Sequence, residues 1–220
     1  MEDQHNGISI RTMNLDDYKT VGPLLHGDFV NDEPILKSLK INVRPETIAI
    51  IDALHLSMIE EGTSLVAVEE NHPERILGFV LAGAKTRKDM QEPNEFPRKL
   101  QPEVALISQL LNDLEAKANI FESYKVDRIL YSSVTFVKPK MRGRGLGTRL
   151  SQALMKVGRT KGFPLMMATC TSFYSARQKE ALGMKCILWQ NYADYKDEQG
   201  CVIFTPSAPH VQSRVLVIEL

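Results

Sequence analysis

The 220-residue sequence is short of cysteine, with three, has a single tryptophan and five histidines, and its longest apolar stretch, residues 76–84, is far too short to cross a bilayer. Each shortage closes a class of protein. Cys170, Cys186 and Cys201 are odd in number and lack Cys-x-x-Cys spacing, which argues against a disulfide framework and a zinc knuckle. They are expected to be reduced and mostly buried; Cys170, which ends an apolar run, keeps a nucleophilic role as an alternative to inert packing. The histidines never fall in His-x-x-x-His or His-Glu-x-x-His order, so no metal site is expected, and His26 or His55 reads as a surface or satisfied core position. An excess of one charge is missing too. Lysine plus arginine equals aspartate plus glutamate at 27 each, which gives no bulk attraction to nucleic acid or to an anionic membrane. The first seven residues have neither the basic nor the apolar region of a secretory signal. A single cytosolic enzyme domain over residues 1–220, long enough to bury a substantial core, is the expectation.

What the chain has is a cluster of glycines between a strand-like and a helical segment. Residues 137–148 join a β-branched, aromatic run (129–137), closed by Pro139, to a helical pattern in Leu146, Leu150, Ala153, Leu154 and Val157 that stops at Gly162. A helix starting within Gly143, Gly145 and Gly147 presents unpaired N–H groups and the positive end of its dipole, with no side chains in the way, to an anionic diphosphate. The stretch has no Gly-Lys pair, which disfavours a P-loop, and it fails the dinucleotide fingerprint at its third glycine. A basic, glycine-rich surface turn is the plain alternative.

Elsewhere, residues 7–12 alternate as a strand, and Asn14 caps a helix that Pro23 and Gly27 are expected to break up. Residues 45–60 read as a helix with Pro45 first, Gly62 as its stop and Ile48, Ile51, Leu54, Leu56 and Met58 as its apolar positions. Residues 65–69 and 76–84 form an antiparallel pair, 85–101 a surface loop, and Pro102 opens a helix whose Val104, Ile107, Leu111, Leu114 and Ala118 share a face. Strands at 165–169, 185–192 and 214–220 and a helix at 172–182 complete the pattern. The order indicates an α/β fold with a mixed, mostly antiparallel sheet between helices, in three layers.

Arg142-x-x-Gly145-x-Gly147 resembles the acetyl-CoA signature of the GCN5-related N-acetyltransferase superfamily. The resemblance implies acetyl-CoA as co-substrate, without a metal, held by Phe136, Val137, Arg142, Gly143, Arg144, Gly145, Leu146, Gly147 and Thr148. The superfamily's usual tyrosine acid is absent, since its position, counted back from Leu182-Gly183, holds Lys179. Ser175, Asp32-Glu33-Pro34, Tyr192-Ala193-Asp194-Tyr195 and Ala208-Pro209-His210 together resemble the insect arylalkylamine N-acetyltransferases across most of the chain. That resemblance implies Glu33 as general base, Ser175 as the second catalytic serine, and Thr171 at the first serine's position, where it either acts in catalysis or shapes the amine pocket.

Plainer readings stand beside these. Glu33 before Pro34 fits a solvated turn, Ser175 and Thr171 fit a helix start, and Tyr174 is either a substitute acid or a core aromatic. The implied chemistry is direct transfer. Glu33 takes the amine proton through water, backbone N–H groups near Phe136 and Val137 hold the thioester oxygen, and a Ser175 hydroxyl meets the leaving sulfur. A small-molecule amine, no nucleic acid, no membrane and a monomeric state are the expected setting. The rivals are a polyamine or peptide N-terminus as acceptor, or a noncatalytic CoA-binding module.

Overall fold

The computed structural model describes residues 7–91 and 96–220. Strand β1 (Ile8–Thr12) leads to a capping box in which the Asp17 amide donates to the Asn14 side chain at 3.0 Å and the Asn14 amide donates to the Asp17 carboxylate at 2.9 Å. From there a 3-10 turn (Leu15–Asp17), α1 (Tyr18–Leu24), a π-helical segment (Leu25–Phe29) and α2 (Val30–Asp32) run on as one helical path. The expectation that Pro23 and Gly27 break up this helix holds in part: the α-helical pattern ends one residue after Pro23 and Gly27 lies in the π segment, but the chain does not leave the helical path. Pro23 removes one amide from the ladder, and the chain widens into π turns while Val21 and Leu25 stay buried against the sheet. The break comes at Glu33, whose extended backbone before Pro34 starts α3 (Pro34–Leu39).

Helix α4 (Pro45–Glu60) has the expected bounds but a different buried face. Thr47, His55, Met58 and Ile59 are buried, while Leu54 is exposed. A polar network takes the place of part of the apolar stripe. The Tyr18 hydroxyl donates to Asp52 Oδ1 at 2.6 Å and lies 3.1 Å from His55 Nδ1, and His26 Nε2 is 2.8 Å from the same carboxylate oxygen. Burial pulls His55 down to about 4, so it is neutral at physiological pH. With the hydroxyl hydrogen committed to Asp52, the His55 proton sits on Nδ1 and points at the tyrosine oxygen.

Strands β2 (Leu65–Glu69) and β3 (His72–Thr86) form the expected antiparallel pair, and β3 is longer than its apolar stretch. Residues 85–101 are not simply a loop: β3 runs to Thr86, α5 (Arg87–Gln91) follows, and a 3-10 turn covers Phe96–Lys99; residues 92–95 of that reading lie outside the described residues. Then come α6 (Pro102–Ala118), α7 (Ile120–Tyr124), β4 (Arg128–Val137), α8 (Leu146–Thr160), β5 (Leu165–Cys170), α9 (Phe173–Glu180), β6 (Lys185–Asn191) and β7 (Gln212–Glu219). Cys170 is buried, but Cys186 and Cys201 are exposed, which corrects the expectation of mostly buried cysteines: the first lies on the edge strand β6 and the second in the segment after it. Among the described residues no helix is long and apolar enough to cross a membrane.

The sheet runs β1-β2-β3-β4-β5-β7-β6, parallel only between β4 and β5. On one face α8 and α9 bring Leu150, Leu154 and Ala176 against Leu130, Met166 and Leu216. On the other, α1 and α4 cover Phe79 and Phe136, and α6 and α7 cover Met167 and Val217. This is the three-layer mixed sheet read from the sequence.

One irregularity positions the site. Leu81 lies opposite Val134 and Ala82 opposite Ser132, so β4 carries Ser133 as an extra residue. The bulge shifts the side-chain parity: Ile129 and Tyr131 face the helical layer before it, and Val134 and Phe136 face that layer after it. Pairing with β5 ends at the same place. Only Leu130↔Met166 and Tyr131↔Met167 are matched, although β4 continues to Val137 and β5 to Cys170. Beyond Tyr131 the two strands separate into a wedge.

Candidate active site

The glycine-rich turn stands beside this wedge. Gly143 and Gly145 have φ of +73° and +78°, a left-handed conformation that side chains disfavour, and a Cβ on either would meet nothing within 4 Å. The space above them is open. Gly145 caps α8 without a side-chain bond, and the first intrahelical bond is Arg149 N–H to the Gly145 carbonyl, so the amides of Leu146, Gly147 and Thr148 precede the ladder. Leu146 buries its side chain in the core, leaving its backbone for a ligand. Gly147 brings the helix against β4, where a Cβ would touch Val137 Cγ2 at 3.8 Å. Open backbone, unpaired amides and exposed Arg142 and Arg144 fit a diphosphate. Arg142 is also tied into the protein, its Nε donating to the Val137 carbonyl at 2.9 Å and an Nη to Asp32 at 2.7 Å.

Asp32 is the neighbour of Glu33, which is only 9% exposed. A solvated turn is thereby excluded. The Glu33 carboxylate accepts the Leu36 amide at 2.8 Å through one oxygen and the Thr171 hydroxyl at 2.6 Å through the other. Burial raises its pKa above the ordinary carboxylate range, and the bonds from Thr171 and from the Leu36 and Ile35 amides hold that rise in check. The Tyr192 hydroxyl in turn donates to the Thr171 carbonyl at 2.6 Å. A buried carboxylate oriented by a hydroxyl and two amides is suited to accept a proton. Thr171→Val should move the acid limb of the kcat/KM profile to higher pH by raising the Glu33 pKa further, whereas Thr171→Ser should leave it in place. A limb unmoved in the valine variant would show that this hydrogen bond does not tune the base.

Ser175 lies in the first turn of α9, where its hydroxyl donates to the Ser172 carbonyl at 3.0 Å and neighbours the Cys170 thiol. Cys170 is buried, and burial pushes its thiol pKa up, opposite to what a nucleophile needs. Tyr174 is 65% exposed, not a core aromatic, and stands edge-on to both Phe173 and His210 at 5.5 Å. The Phe173 amide donates to His210 Nδ1 at 3.2 Å. Between Phe136 and Val137, the ladder discriminates. Lys138 N–H donates to the Leu77 carbonyl, so antiparallel alternation turns the Phe136 N–H toward β3 and the Val137 N–H toward the wedge.

The structure thus joins Glu33 to Thr171 and places the signature turn next to them through Asp32 and Arg142. Sequence reasoning gave Tyr192 and Asp32 no part in the site. The Tyr192 motif was a signal of relatedness, but its bond to residue 171 is visible only in the fold.

The chain matches the acetyltransferase (GNAT) family over residues 42–179. Among solved structures it is similar to arylalkylamine N-acetyltransferase 2 from Aedes aegypti, with a TM-score of 0.87 and 26% identity over 97% of this chain and 99% of that one. It is also similar to a mosquito arylalkylamine N-acetyltransferase-like protein 5b, with a TM-score of 0.85 and 28% identity over 97% and 100%. The Drosophila melanogaster polyamine N-acetyltransferase, which catalyses formation of N-acetylagmatine, superposes with a TM-score of 0.84 and 29% identity over 97% and 100%. With its family match, its wedge between two parallel strands and its glycine-capped helix, the chain belongs to the GNAT family of acetyltransferases.

Proposed function

We propose that the protein transfers the acetyl group of acetyl-CoA directly to the primary amine of an arylalkylamine. The observation that carries this reading is the buried Glu33–Thr171 contact beside the open end of α8. Acetyl-CoA supplies the acetyl group as a thioester. The α8 amides and the signature arginines bind its diphosphate. The Val137 N–H, on the open side of β4, is placed to donate to the thioester oxygen as charge builds there. Glu33 accepts a proton from the incoming ammonium through water, which restores the lone pair that attack requires.

An aromatic acceptor is favoured over a polyamine by what surrounds Thr171. Phe173 and Tyr174, two and three residues along the chain from it, form an edge-to-face cluster with His210, whose Nδ1 accepts the Phe173 amide. A polyamine would need a carboxylate for its distal cation, and Asp32 is already paired with Arg142 at 2.7 Å. The relatives divide between both acceptor classes, so the test is a panel. Dopamine, tyramine, serotonin and tryptamine are expected to give higher kcat/KM with acetyl-CoA than agmatine or spermidine. The reverse order would assign a polyamine acceptor, and CoA binding with no thiol release from any amine would leave a noncatalytic module.

A further inference from the structure

Lys179 on α9 is 2% exposed, and its ammonium has the Thr135 hydroxyl, 3.3 Å away, as hydrogen-bond partner. Among the described residues no carboxylate forms an ion pair with it; the adjacent Glu180 is engaged with Arg214 at 2.7 Å. A cation withdrawn from water with one long bond to a neutral oxygen is costly unless something else uses the charge. Thr135 lies on the part of β4 beyond its last pairing with β5, so Lys179 reaches across the wedge from the α9 side. A second group there is unsatisfied. The Ser132 hydroxyl, at the first β4 position past that pairing, is buried with no partner. Ser132 stands opposite Ala82, which packs in the core on the α8–α9 face, the face from which Lys179 comes.

The Cys170 thiol of β5 interacts with the lysine, and burial keeps it protonated. The polar groups of the neighbouring α9 residues are engaged elsewhere: Gln178 with Ser151 and the Gly147 carbonyl, and Glu180 with Arg214 of β7. None of these supplies the missing negative charge. A buried cation and an orphan hydroxyl thus lie on the α8–α9 side of β4, beside the place where it parts from β5.

We propose that Lys179 receives the thiolate that CoA becomes when the acetyl group leaves, which rests on the acetyl-transfer reading above. As the carbon–sulfur bond breaks, its electron pair goes to sulfur and a proton passes from the Lys179 ammonium to that sulfur. Two protons leave the amine nitrogen in the overall reaction. One is balanced by the proton now on sulfur, the other is released to solvent, and Lys179 is reprotonated before the next turnover. Ser175, bonded to the Ser172 carbonyl within its own helix, is the secondary contributor.

The test compares CoA with desulfo-CoA by calorimetry from about pH 6 to about pH 9, the range that brackets an ordinary thiol. An ammonium at the sulfur stabilises thiolate, so wild-type affinity for CoA should rise relative to desulfo-CoA as pH increases, by roughly tenfold across that range. Lys179→Met should abolish the rise while keeping desulfo-CoA affinity, and Lys179→Arg should retain part of it. With an amine, Lys179→Met should lose about 10²-fold in kcat, at an unchanged KM for the amine, and the arginine variant should recover some of it. A thermal melt checks folding, and replacing an unpaired buried charge with methionine should not lower it. A CoA to desulfo-CoA ratio that is flat with pH in the wild type, or identical in wild type and Lys179→Met, would overturn the proposal. A lysine-dependent ratio without acetylation of any amine would uphold the thiolate site and overturn the transfer reading instead.

Discussion

Glu33→Gln is expected to lower kcat/KM by about 10²–10⁴ near neutral pH, the scale of general-base catalysis. Glutamine keeps the size of the side chain and can still accept the Leu36 amide, but it cannot take a proton. CoA affinity should be unchanged. The rate of the wild type should rise with pH as Glu33 ionises, and burial places that rise above the ordinary carboxylate range. High pH should partly rescue the glutamine variant, because more of the substrate then arrives as free amine. Stability should move the other way. A carboxyl whose pKa is raised by folding favours the native state below the ordinary carboxylate range and loses that contribution as pH rises through its folded value. Glu33→Gln should therefore melt at a higher temperature than wild type at neutral pH, and the difference should shrink on acidification. Near-wild-type activity at pH 7 would remove Glu33 from the base role without touching the family assignment.

The second large effect is at Gly145. With φ at +78° and open space where a Cβ would stand, Gly145→Val meets two obstacles: a strained left-handed backbone and a side chain in the path of the diphosphate. Acetyl-CoA affinity should fall roughly 10- to 100-fold, the equivalent of one strong hydrogen bond to a charged group. Gly200 separates the two causes, since its φ of +82° imposes the same strain and a Cβ there also meets nothing. Gly200→Val should lower the melting temperature comparably and leave CoA affinity intact. Unaltered CoA binding in Gly145→Val would defeat the cradle.

The glycine-rich turn was legible because it is local: strand, turn and helix are neighbours in sequence, and the glycines announce the turn. The sheet was legible for a related reason, since apolar runs bounded by turn residues fix strands nearly independently of their partners. Glu33 was different. Its burial depends on Thr171, which is 138 residues away, so the dipeptide Glu33-Pro34 could only suggest a turn, and only resemblance suggested a base. The π-helical stretch was hidden because Pro23 and Gly27 are local breakers that packing of Val21 and Leu25 overrides. In α4 the apolar spacing pointed to Leu54, whereas the fold buries His55 by supplying Tyr18 and, through it, Asp52. Lys179 was visible as a departure from a pattern; that it is buried across a wedge from Thr135 was not.

The most direct measurement is amine-dependent thiol release from acetyl-CoA by the wild-type protein, followed against pH with an arylalkylamine such as tyramine. The account predicts saturable release that requires the amine, yields stoichiometric N-acetyltyramine, and rises along an acid limb that moves upward in Thr171→Val. Release that is independent of the amine, or no release from a protein that binds acetyl-CoA, would contradict it.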